Sequence, residues 1–207
     1  MPKDCTHAGA IVGVAEHGNS AVLVTVARGG ELLDRRCIDL TPPGTPTHPH
    51  HHEGSWAVGR YLDSPWARPV SLAEAVALVE RVTHAAAVGA RQGLDALQAG
   101  VATPIVGISL RLCPALPATI EERIADNRAQ TVADSVMYRQ ALAKAAQERG
   151  WVVHWYEPEA VFREAARALG AQDIGARLQA LGKAVGPPWQ AKHKLAAAAA
   201  IARVNRG

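Results

Sequence analysis

Over the first forty residues, apolar and polar positions fall into three short runs separated by glycine pairs or near-pairs. "AIVGVAEHG" and "SAVLVTVARGGELLDRRCIDL" are rich in β-branched residues, which suit the pleated, half-buried surface of a strand. Gly18-Asn19 and Gly29-Gly30 supply the backbone freedom that tight hairpin turns demand. The pattern predicts strands at 10–16, 21–28 and 31–39, paired antiparallel. The next stretch, "TPPGTPTHPHHHEGSW" at 41–56, holds four prolines and no periodicity, so a loop is expected there. It exceeds the usual connection, and long ordered loops are often functional.

Beyond that loop the period lengthens. Ser71 followed by Glu74 forms a capping box, and "SLAEAVALVERVTHAAAVGARQGLDAL" then carries apolar residues at helical spacing. "PIVGISL" at 104–110 is a wholly apolar run of the kind buried on both faces of a sheet. Helical spacing returns from Ala118 to Glu148, with Gly150 placed as a helix terminator. "WVVHWY" at 151–156 predicts a fifth strand, and "PEAVFREAARAL" a helix with proline in its first turn. A short helix at 174–183 and Pro187-Pro188 lead into "KHKLAAAAAIA", a helix whose alanines let it lie close to whatever covers it. The order predicts one mixed five-stranded α/β sheet, three hairpin-linked antiparallel strands followed by two parallel ones, with helices on both faces. That is the element order of the ribonuclease H-like fold, expected as a single domain over 1–207.

Composition bounds the partners without choosing among them. No apolar run is long enough to span a bilayer, and the opening "MPKDCTHAG" lacks a secretion-signal pattern, so the chain is expected in the cytoplasm with no membrane partner. Cys5, Cys37 and Cys113 are odd in number and far apart, which favours reduced thiols over a disulfide framework or a thiolate zinc site. A net charge of +3 is too small to announce nucleic-acid binding by itself.

Three stretches resemble the RuvC family of Holliday-junction resolvases. "IVGVAEHG" is similar to that family's first strand, I-L-G-I-D-x-G. "ADSVMYRQALAKAAQERGWVVHWYEPEAV" resembles its central helix and the following strand that ends in Y-x-P-x-x-V, and "KHKLAAAAA" its closing helix. The resemblance implies a nuclease that acts as a homodimer and cuts phosphodiesters with two metal ions, held by carboxylates of the first strand, the fourth strand and the last helix. In this chain the first-strand aspartate position falls on Ala15, with Glu16 beside it. The fourth-strand carboxylate falls near Ser109 or Arg111, and the last-helix aspartate on His193.

Topology gathers other chemistry on the same edge of the expected sheet. Glu16 and His17 leave strand one there, and His48, His50, His51, His52 and Glu53 leave strand three. With His193 from the last helix, this much imidazole beside one or two carboxylates suits zinc, iron, manganese or nickel better than a bare magnesium pair, and the cofactor expected is a divalent ion, magnesium, manganese or zinc. The expected ligands of such a divalent ion are Glu16, His193, His51 and His52; Glu16, His193 and Glu53 are the candidate catalytic groups. Arg111, Lys192 and Lys194 are the candidate nucleic-acid contacts. Trp56, Trp66, Trp151, Trp155 and Trp189 are read as packing, with base stacking as the alternative. Two readings stay open: a metal-dependent nuclease on nucleic acid, or a catalytically degenerate binding or assembly module on the same fold.

Overall fold

The computed structural model describes residues 9–63, 65 and 69–204; Cys5 and Trp66 lie outside the described residues. Its sheet is built from β1 (Ala10–His17), β2 (Ser20–Ala27), β3 (Leu32–Asp39), β4 (Ile105–Arg111) and β5 (Val152–Tyr156), in the order β3-β2-β1-β4-β5. β1–β2 and β2–β3 are antiparallel, whereas β1–β4 and β4–β5 are parallel. The expected mixed sheet is therefore present, with helices on both sides.

Strand alternation assigns each face. Ala10, Val12 and Val14 join a buried cluster with α2 (Leu72–Gly100) and α4 (Ala129–Gln147). Ile11 and Ala15 join a second cluster with α5 (Pro158–Leu169) and α7 (Ala191–Val204). Successive side chains on a strand point to opposite faces, so odd positions of β1 meet α7 and even positions meet α4.

α7 lies directly against β1. Its residues Ala196 to Ala202 are all buried, and a Cβ built on Gly13 would stand 1.8 Å from the Ala196 carbonyl oxygen. The helix crosses the strands from the β3 side to the β5 side. Arg35 of β3 donates to the carbonyls of Gly186 and Pro188 just before it (2.8 and 2.7 Å), and Arg203 near its end donates to Trp155 of β5 (3.3 Å).

Two expectations need correction. The helix expected over 118–148 is two, α3 (Ile120–Ala125) and α4, because the Asp126 carboxylate accepts the Arg128 and Ala129 amides (2.7 and 2.8 Å) and diverts the backbone. The loop at 41–56 ends in a short helix, α1 (Glu53–Ala57), and its Pro49 and His50 are buried rather than solvated. The capping box at Ser71 forms as expected: Ser71 accepts the Glu74 amide while Glu74 accepts the Ser71 amide. Ser71→Ala is expected to cost about 1 kcal/mol, read as a small fall in the unfolding midpoint.

Candidate functional site

Glu16 is the next even position after Val14, so its side chain leaves β1 on the α4 side. There its Oε1 accepts from Arg139 Nε of α4 at 2.6 Å, and the two side chains are only 8% and 7% exposed. Arg139 also donates to the Leu112 carbonyl at 3.2 Å. The carboxylate is thus spent on a buried cation.

His193 sits on the other face. It stacks on Trp189, with ring centroids 5.8 Å apart, and its Nδ1 accepts the Gln190 amide at 3.1 Å. Arg35, which anchors this end of α7, is in register with Val24, and Val24 with Gly13. His193 therefore lies in mid-sheet near the β3 margin, not at the edge where Glu16 ends its strand. Glu16 and His193 are not brought together, because strand parity and the crossing direction of α7 separate them.

Burial, and then the charge of Arg35, hold the His193 imidazole below its ordinary value of 6.5. A protonated Nδ1 would also lose the Gln190 amide. The unfolded chain then binds the proton more readily, so this residue's stabilisation is present above pH 6.5 and is lost as the pH falls below it. An imidazole titration followed by NMR is expected to give a midpoint below that of an exposed histidine, and His193→Ala should flatten the acid limb of the stability curve.

The loop histidines divide. His50 is buried against α4, His51 is half-buried, and His48 and His52 are exposed. The His52 ring lies 5.4 Å from that of His48 and 5.2 Å from that of His51. Glu53 opens α1 and lines a cleft of about 390 Å³ with Glu74 and Arg81 of α2. Burial pushes its carboxyl upward, and its Oε2 has no hydrogen-bond partner. Among the described residues, no group of three or more His, Cys, Asp or Glu is placed to hold a metal ion.

The cations are split between two places. Arg111 is exposed at the end of β4 and lines a cleft of about 470 Å³ with Cys113, Arg139, Glu157 and Glu159. Lys192 and Lys194 stand in the first turn of α7, where Lys194 borders a groove of about 420 Å³ with Trp189 and Lys183. Among the described residues, no helix is long and apolar enough to cross a membrane.

By structure, the chain is similar to RuvC of Thermus thermophilus in complex with a Holliday junction substrate, with a TM-score of 0.51 and 13% identity over 94% of this chain and 91% of that one. The fold is RuvC-like. A second structure of Thermus thermophilus RuvC matches with a TM-score of 0.48 and 12% identity, over 93% and 92% of the two chains. No protein-family model matches the sequence, and no curated protein does.

The divalent ions implied by a RuvC-like fold do not fit the residues present. At the first-strand position Ala15 is 3% exposed beneath α7, and on β4 Ser109 is fully buried with its hydroxyl unpartnered. A pair of hard cations needs several anionic oxygens. The neighbouring Glu16 points to the opposite face and is already paired.

Asp134 and Arg139 were missed by the reading of the sequence. Both lie on the buried side of α4, at 2% and 5% exposure. The available signal was a charged residue within an otherwise apolar helical stripe: Asp134 is spaced i, i+3, i+4 and i+7 with Met137, Tyr138 and Ala141.

Proposed function

We propose that this chain is a nuclease-fold protein that binds nucleic acid without assembling the set of carboxylates needed to cut it. The observation that carries the reading is the buried Glu16–Arg139 pair beside Ala15. The acid nearest the family's first-strand position is neutralised on the wrong face, and the position itself is a methyl group packed under α7. Binding is supported by the exposed Arg111, by Lys192 and Lys194 at the head of α7, and by the RuvC neighbour, whose structure holds a Holliday junction. Arg111 and the α7 lysines would act on backbone phosphates, which positions a nucleic acid without reading its sequence.

The test is affinity for a four-way junction, a linear duplex and a single strand, each measured across a range of salt. Wild type is expected to lose affinity steeply as salt rises, because contacts to phosphates release counterions. Replacing Arg111, Lys192 and Lys194 together by alanine should lower that slope by about one unit per lost contact and weaken all substrates alike. Absence of binding to every substrate, or a slope unchanged in the triple variant, would remove the proposal.

A further inference from the structure

Gln130, Asp134 and Tyr138 stand four residues apart on α4 and so share one face of it. That face fixes the stretch before α1. Tyr138 donates to the Thr47 carbonyl at 3.0 Å, Asp134 accepts the amides of His50 and His51 at 2.9 and 3.2 Å, and Ser55 donates to Gln130. Asp134 also pairs with the His50 ring at 2.9 Å. With these ties His50 is buried, while His48 and His52 remain exposed.

His48 and His52 are one helical turn apart. The His52 amide donates to the His48 carbonyl at 2.9 Å, which sets the two side chains on the same side of the turn. Their ring centroids are 5.4 Å apart and their planes are inclined by 50°. Two imidazoles on one tetrahedral ion, with metal–nitrogen bonds of about 2.0–2.1 Å, have centroids about 5 Å apart. Both rings are open to solvent and the χ2 well of histidine is broad, so a nitrogen of each can be aimed at a common point without moving the backbone. Among the described residues, no set of three His, Cys, Asp or Glu is placed to hold an ion, so this pair would act alone, with water in the remaining positions.

We infer that His48 and His52 chelate one divalent ion of the zinc, nickel or copper class, for which imidazole is a good donor. The turn is already formed, and the open positions of the ion are free to exchange water for an anionic oxygen. Glu16 and His193 take no part, so this site differs from the one a RuvC-like fold implies. It stands or falls without nucleic-acid binding.

The probes are zinc and nickel ions added to protein free of any affinity tag, with magnesium as the control. An ion that binds only the folded chain raises the unfolding midpoint. A histidine-rich segment without fixed geometry would bind the ion folded and unfolded alike, and the midpoint would not move. Zinc and nickel are each expected to raise the midpoint saturably, by about 5 °C at roughly a hundredfold excess over the dissociation constant. Magnesium should leave it unchanged, because it prefers oxygen donors. Zinc should also move the ring nitrogen resonances of His48 and His52 together, with one ion bound per chain. His48→Gln and His52→Gln, both at exposed positions, should each keep the fold and weaken binding at least about tenfold. His84→Gln, exposed on α2, should bind as wild type does. No rise with either ion, binding without a rise, an equal rise with magnesium, or an undiminished rise in His48→Gln or His52→Gln would each overturn the inference.

Discussion

Gly13→Ala is expected to leave no folded protein. The added methyl carbon would stand 1.8 Å from the Ala196 carbonyl oxygen and 2.6 Å from the Ala200 amide nitrogen, and both are backbone atoms of α7. A flexible side chain in that place would turn aside, but a helix backbone moves only as a unit. Lifting α7 would open the whole cluster it shares with β1, β2 and α5. Far-ultraviolet circular dichroism and soluble yield check this directly; a folded Gly13→Ala protein with a normal unfolding midpoint would mean that α7 does not lie on β1 as described. Ala198→Leu, in the middle of the same buried run, is expected to cost less, on the order of 1–3 kcal/mol, because side-chain overpacking can be relieved in part by neighbours.

The second large effect concerns Arg139. Arg139→Ala is expected to destabilise the fold by about 3–5 kcal/mol, since it strands a buried carboxylate with no cation. Glu16→Gln should cost less, because the amide oxygen can still accept from Arg139. Replacing both residues by methionine should recover most of the loss, as an apolar pair of similar volume often matches a buried ion pair. A double-mutant cycle in urea measures this. If Arg139→Ala were nearly neutral, Glu16 would not be held as a structural partner and would be free for other chemistry. The cycle also guards the functional assays, because loss of activity in a Glu16 variant is uninterpretable until its stability is known.

The sheet was legible because its signals are local. Glycine turns, β-branched runs and the capping box at Ser71 need only a few neighbouring residues, and they gave five strands in the right order. The face assignment was also available in part: the small residues Gly13 and Ala15 match an alanine helix, and the intervening Glu16 must then turn the other way. Asp134 and Arg139 announced themselves only weakly, as charges in an apolar stripe. Their partners are distant in sequence, His50 by 84 residues and Glu16 by 123. The position of His193 was beyond reach, because the direction in which α7 crosses the strands is set by packing among α5, the sheet and the helix, and no local pattern encodes it.

Binding without cleavage can be read in a single incubation. A labelled four-way junction is held at a protein concentration shown to saturate it, with magnesium or manganese, and the strands are resolved on a denaturing gel over many hours. The junction is expected to stay bound with its strands intact in either ion. Cleavage that Glu16→Gln abolishes, in protein shown to remain folded and bound, would contradict it and return Glu16 to the centre of a metal-dependent nuclease.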